Sequence, residues 1–150
     1  MALARVISIS ILGLLALQDF RKREVSVWTY YMLGACILFD KYLSRDIAFF
    51  YTDFLINQSC VLILVISIWG YALSRSCKLE DVIGKGDLWF FEILAMSFST
   101  TIFIWFMNGS FVIALLWWFF TRSKRNIPLV GIQSICYIII IIGIKWIQFL

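Results

Sequence analysis

Long apolar runs separated by short polar loops are the feature that most constrains how this chain can fold. An α-helix needs about 20 apolar residues to cross the roughly 30 Å hydrocarbon core of a bilayer. Only 15% of the residues are charged, against roughly 25% in a soluble domain. The sequence therefore predicts a polytopic all-α membrane protein, a single domain over residues 1–150. Its six transmembrane helices are predicted at residues 2–18, 27–43, 54–73, 88–107, 110–120 and 129–149.

The first and fifth predicted spans are the least regular of the six. The first could be a secretory signal peptide with Arg5 as its charged start, but it has no convincing small-x-small cleavage site before Gln18. The fifth is too short to cross alone unless it extends through Thr121 and Arg122. The dipeptide 108–109, Asn-Gly, is typical of a tight turn and predicts the outer connection between spans four and five.

The basic residues predict the orientation of the chain in the membrane. Short cytoplasmic loops retain lysine and arginine, and nine of the thirteen basic residues fall in the loops after spans one, three and five. Both termini are therefore predicted outside, in a multi-pass protein of the inner (plasma) membrane. The net charge of +4 records this topology, so we expect no nucleic-acid partner. The nine residues are Arg21, Lys22, Arg23, Arg75, Lys78, Lys85, Arg122, Lys124 and Arg125.

Metal and cofactor chemistry lacks suitable residues in this sequence. The four cysteines are scattered without a CxxC pair, and the chain contains no histidine. A zinc or haem site would need such ligands. We therefore expect no metal and no cofactor. The cysteines are expected to be single thiols packed among the helices.

Two aspartates are predicted at one membrane depth. Asp19 ends span one, and Asp87, preceded by Gly84 and Gly86, begins span four on the same side. Neighbouring carboxyl groups tend to share one proton, so one can activate water while the other protonates a carbonyl oxygen. Such aspartyl hydrolysis needs neither metal nor histidine. Alternatively, each aspartate is an interfacial helix-end charge, and Asp87 simply favours the positive end of span four.

The glycine residues beside Asp87 are expected to act through their backbone, in one of two ways. Glycine allows positive φ angles and lets a neighbouring helix or a substrate approach closely. Both uses are open for Gly84 and Gly86.

Three motifs, in this order and topology, resemble the prepilin peptidases and the archaeal preflagellin peptidases. Residues 19–26 (DFRKREVS) keep the aspartate, basic and apolar positions of the family's first motif, and residues 84–87 (GKGD) match its GxGD motif. Residues 127–128 (Ile-Pro) follow a basic loop, as in the family. The resemblance implies an aspartic endopeptidase with Asp19 and Asp87 as the catalytic pair.

The resemblance also implies the substrate of the enzyme and the form of peptidase to which the chain is similar. The substrate would be a type IV pilin-like precursor, whose short basic leader is cut at the cytoplasmic face just before an apolar helix. The chain has no segment like the one that carries N-methyltransferase activity in larger members, so the compact peptidase form is expected. Ser26 replaces the family's usual proline, which predicts a looser turn, and Trp89 replaces a common lysine.

Four further residues are candidates for contact with substrate or for support of the pair. They are Lys85, Glu92, Arg21 and Pro128. Glu92 lies about 140° around the helix from Asp87, so a basic partner or snorkelling to the membrane edge is favoured for it. Two other functions compete with the peptidase: a proton-coupled transporter and a non-catalytic assembly protein of a pilus or secretion system. The transporter predicts acids near the bilayer midplane on interrupted helices.

Overall fold

The computed structural model describes residues 2–22, 24–44, 47–121 and 127–149, and this part of the chain is all-α. Six long helices and one short helix follow each other. Helical structure suits an apolar environment, because every backbone polar group can be satisfied within the segment. The helices are α1 (Ala2–Lys22), α2 (Val27–Ser44), α3 (Ile47–Ser74), α4 (Leu79–Val82), α5 (Lys85–Ser97), α6 (Thr100–Thr121) and α7 (Leu129–Phe149).

Helix α5 lies at the centre of the bundle. It packs against α2, α3 and α7, while α1 packs along α7 and α2. Phe90, Phe91 and Leu94 of α5 are fully buried, as are Leu15 of α1 and Leu33 of α2. The apolar core thus forms around α5 and fixes the direction in which its first turn points.

Two helices have the length and composition of membrane spans. Within the described residues these are Tyr51–Ser74 of α3 and Thr100–Thr121 of α6. Few of their residues are buried inside the bundle, and Trp105, for example, is 77% exposed. An apolar surface of this kind suits contact with lipid rather than with water.

Helices cover four of the six predicted runs nearly as expected, but the division between spans four and five is wrong. Residues 108–109 lie within the continuous helix α6, and the break falls instead at residues 98–99. The Asn108 side chain donates to the carbonyl oxygen of Ile104 at 2.8 Å, which satisfies its amide inside the helix. Helix α6, which stands in place of the predicted fifth span, therefore has 22 residues and needs no extension, and Arg122 lies outside the described residues.

Polar side chains of α3 stabilise the break between α5 and α6. Asn57 is completely buried and donates to the carbonyl oxygens of Ala95 at 3.1 Å and Phe98 at 2.9 Å, at the end of α5. The Asp53 carboxylate accepts from the backbone N–H of Thr100 at 3.1 Å and from its hydroxyl at 2.8 Å, at the start of α6. Helix ends need such partners, and here both come from α3.

Candidate active site

Asp19 is a buried carboxylate in the last turns of α1. Its side chain is 8% exposed, and its Oδ2 accepts a hydrogen bond of 2.7 Å from the backbone N–H of Gly131. Gly131 belongs to the first turn of α7, which begins beside the buried Pro128. The carbonyl oxygen of Pro128 accepts from Ile132 at 3.0 Å, so the proline opens the helix that presents the amide to Asp19.

Asp87 lies in the first turn of α5 and is half-buried. Its Oδ2 accepts from the backbone N–H of Gly84 at 3.1 Å, which satisfies one of the orphan donors of the helix start. Burial raises the pKa of Asp87 from 3.8 to about 6, the Gly84 hydrogen bond lowers it, and the Asp19 charge raises it. The backbone N–H of Val130 lowers it as well.

The two carboxyl groups converge on one helix start. Asp19 accepts from Gly131, and the amide of the preceding residue, Val130, acts on Asp87. The Cα atoms of adjoining residues are only about 3.8 Å apart. Helices α1 and α5 thus deliver their aspartates to the same turn of α7, where each carboxyl group lies in the field of the other.

Close packing explains the glycines of the site. A Cβ atom on Gly84 would lie 3.1 Å from Oδ2 of Asp87, and one on Gly86 would lie 2.9 Å from the Tyr30 hydroxyl. On Gly131 it would lie 2.9 Å from the ring of Phe20. No glycine among the described residues has a positive φ, so of the two uses left open for Gly84 and Gly86 the structure shows close approach. Close approach is the reason for these residues.

No protein-family model, curated protein or solved structure matches this chain. The motifs and this geometry are therefore the grounds on which a function can be inferred.

Sequence reasoning missed three contributors to the site. Tyr30 of α2 is 3% exposed and interacts electrostatically with both Asp87 and Asp19. The backbone amides of residues 130–131 carry no side-chain signal at all. Tyr30 stands in an apolar run, where an aromatic residue is usually only packing.

Gln18 holds the turn between α1 and α2, which the sequence predicted to be loose. Its Oε1 accepts from the backbone N–H of Ser26 at 3.2 Å and from the hydroxyl of Thr29 at 3.4 Å. A proline at position 26 has no N–H and would lose the first bond. The departure from proline at position 26 thus keeps the backbone N–H that bonds to Gln18.

The other candidate residues lie around the pair rather than in it. Arg21 is exposed in the last turn of α1, and Lys85 is exposed as the first residue of α5. Glu92 accepts from the Nε2 of Gln58 at 2.9 Å, so it pairs with a side-chain amide of α3, where a basic partner or snorkelling to the membrane edge was expected. Trp89 is half-exposed and packs against Tyr31, with ring centroids 6.1 Å apart.

Groups of three or more candidate metal ligands are absent from the described residues. Among the described residues, the polar groups that meet at the site include two carboxyl groups, the backbone amides of Gly84, Val130 and Gly131, and one phenol. This set can accept a proton, donate a proton and stabilise a developing negative charge. These are the operations of general acid–base catalysis.

Proposed function

We propose that this chain is a membrane-embedded aspartic endopeptidase that removes the short basic leader of type IV pilin-like precursors at the cytoplasmic face of the inner membrane. The observation that carries the proposal is the convergence of Asp19 and Asp87 on the first turn of α7. Their motifs resemble those of prepilin peptidases.

The hydrogen bonds of the pair suggest which carboxyl group is the base. Asp19 accepts a 2.7 Å hydrogen bond from a buried amide, which stabilises its ionised form. Asp87 has a pKa raised to about 6 and retains a proton more readily. Asp19 is therefore assigned as the base and Asp87 as the acid in the first step.

Each proton of the reaction has a donor and an acceptor. Asp19 takes a proton from water while the water oxygen attacks the scissile carbonyl carbon, and Asp87 gives its proton to the carbonyl oxygen. In the second step Asp19 returns its proton to the amide nitrogen as the C–N bond breaks. Asp87 recovers a proton from the hydroxyl that becomes the new carboxyl group.

The substrate assignment follows from the membrane placement that we propose. Six spans with both termini outside would place residues 19 and 87 at the cytoplasmic edge, where the leader of a pilin-like precursor meets its apolar helix. Two described helices support membrane insertion directly by their length and composition. The remaining spans are inferred from the apolar runs and the distribution of basic residues.

Co-expression with a pilin-like precursor tests the proposal. Asp19→Asn and Asp87→Asn should each abolish removal of the leader, because asparagine can neither accept nor supply the proton. Glu92→Gln is the matched control: this carboxylate is on the same helix as Asp87 but bonds to Gln58. It should leave cleavage intact. Leader removal at the normal rate by either asparagine variant would refute the paired-carboxylate mechanism.

A further inference from the structure

The Tyr30 hydroxyl is a buried donor that the paired-carboxylate mechanism leaves unused. The residue is 3% exposed, and its Oη atom has no hydrogen-bond partner among the described residues. A buried hydroxyl without a partner is unfavourable. Such a group in a folded protein calls for an explanation, and function is a common one.

The location of this hydroxyl is fixed from two sides. A methyl group built on Gly86 would lie 2.9 Å from Oη, so the phenol rests against the residue that precedes Asp87. Its ring packs beside Phe90, one turn further along α5, with centroids 6.4 Å apart. The phenol therefore cannot swing away without unpacking the core.

The hydroxyl interacts with both aspartates but is bonded to neither. Asp87 and Asp19 each act on it electrostatically, yet the hydroxyl makes no hydrogen bond to either carboxyl group. A donor held beside two carboxyl groups without bonding to them remains available for a third group at the site. In peptide hydrolysis that group is the scissile carbonyl oxygen, on which negative charge develops.

We propose that Tyr30 is a further catalytic residue, whose hydroxyl donates a hydrogen bond to the scissile carbonyl oxygen as the tetrahedral intermediate forms. No proton is transferred from Tyr30: Asp87 supplies the proton, and the phenol stabilises the charge before the transfer is complete. Gly86 is then glycine because any side chain there would push the donor away. This inference rests on the proposed peptidase function.

Steady-state kinetics in nanodiscs, with a peptide that spans the leader and the start of the apolar helix, test the role. Tyr30→Phe keeps the ring and should lower kcat by about 100-fold or more, with KM changed by less than about threefold. Tyr31→Phe is the matched control, since Tyr31 is 57% exposed and packs on Trp89. Its kcat should equal that of the unmodified protein.

A second measurement separates catalysis from folding. A hydroxyethylene peptide, which mimics the tetrahedral intermediate, should bind Tyr30→Phe more weakly by the factor lost in kcat/KM. The substrate peptide should bind the Tyr30→Phe and Asp87→Asn double variant as it binds Asp87→Asn alone. If both peptides lose affinity together, or if kcat is unchanged, the assignment of Tyr30 is wrong.

The controls distinguish the two proposals from each other. An unmodified protein that cleaves no precursor would refute the peptidase function, and the role of Tyr30 with it. An active protein with inactive aspartate variants and a fully active Tyr30→Phe would refute only the role of Tyr30.

Discussion

Asp19 and Asp87 are alike in chemistry and unlike in the groups that hold them. Asp19 is buried and accepts a short hydrogen bond from α7, whereas Asp87 is half-buried and bonded to the start of its own helix. The second environment penalises the charge more than its hydrogen bond stabilises it, so the pKa of Asp87 rises to about 6. The raised pKa of Asp87 is therefore mainly a consequence of burial, which its backbone hydrogen bonds offset only in part.

The raised pKa of Asp87 predicts how stability changes with pH. The folded protein holds this proton up to about pH 6, while the unfolded chain releases it near 3.8. The contribution of Asp87 is thus fully present below about pH 3.8 and is lost as the pH rises through 6, by up to about 3 kcal/mol. Thermal unfolding in detergent from pH 4 to 8 should show this fall in the unmodified protein and a flatter profile in Asp87→Asn. Parallel profiles would contradict the assignment.

Gly131 offers a second test at the scale of one residue. Alanine there would place a Cβ 2.9 Å from the Phe20 ring and 3.2 Å from Oδ2 of Asp19. We expect Gly131→Ala to lower stability by about 1–3 kcal/mol through overpacking, and to lower leader cleavage by displacing Asp19. Urea unfolding in detergent and the cleavage assay measure the two effects.

Gly143, on the same helix, is the control for Gly131. A Cβ at Gly143 meets nothing within 4 Å, so Gly143→Ala should raise stability by about 0.5–1 kcal/mol. Equal effects of the two substitutions would show that close packing at Gly131 is unimportant.

At the scale of helices, the short length of α5 decides where the turn to α6 would lie in the proposed membrane topology. Its 13 residues extend about 20 Å, less than the roughly 30 Å hydrocarbon core. The turn to α6 must then lie within the proposed membrane region, where free backbone groups are costly. Asn57 and Asp53 supply the hydrogen bonds that water would otherwise provide.

Asn57→Leu tests this account of the turn. Leucine has nearly the same volume but leaves the carbonyl oxygens of Ala95 and Phe98 without their side-chain donor. We expect a loss of about 1–3 kcal/mol in unfolding free energy. Ser59→Ala, on the same helix, removes an exposed hydroxyl bonded only to Leu55 and should change stability by less than about 0.5 kcal/mol. Similar losses for both variants would contradict a special role for Asn57.

The helices were predictable where a run is both long and bounded by polar residues, as for α1, α2, α3 and α7. The division between α5 and α6 was not, because the Asn-Gly turn rule assumes that the asparagine seeks partners outside a helix. At Asn108 the side chain bonds to Ile104 instead. The true break is stabilised by α3, which is distant in sequence, so the Asn-Gly rule could not reveal it.

The residues of the candidate site also divide into those that the sequence indicates and those that it does not. The proximity of Asp19 and Asp87 and the close packing at the glycines could be expected from the sequence, because few residue types carry a carboxyl group or tolerate such close contact. Tyr30 and the amides of residues 130–131 could not, since they act only through contacts between helices. A phenol in an apolar run looks the same whether it fills space or faces a carboxyl group.

At the scale of the whole molecule, orientation decides whether the proposed site can reach its substrate. In the proposed topology the turn after α3 faces the cytoplasm, and the end of α2 faces outward. Ser76 in the turn and Tyr42 near the end of α2 are both exposed, which gives one described position on each side. The site lies on the side of Ser76, because residues 19 and 87 end or begin helices there.

Cysteine labelling measures this orientation directly. In a variant whose four cysteines are replaced by alanine, Tyr42→Cys should react with a membrane-impermeant maleimide in intact cells, and Ser76→Cys should not. Inverted membrane vesicles should reverse the pattern, because basic loops are retained in the cytoplasm. The aspartate pair would then open to the compartment in which pilin-like precursors present their leaders. Labelling of Ser76→Cys from outside would place the pair on the wrong face, and leader cleavage in the cytoplasm would be excluded even if both aspartates proved essential.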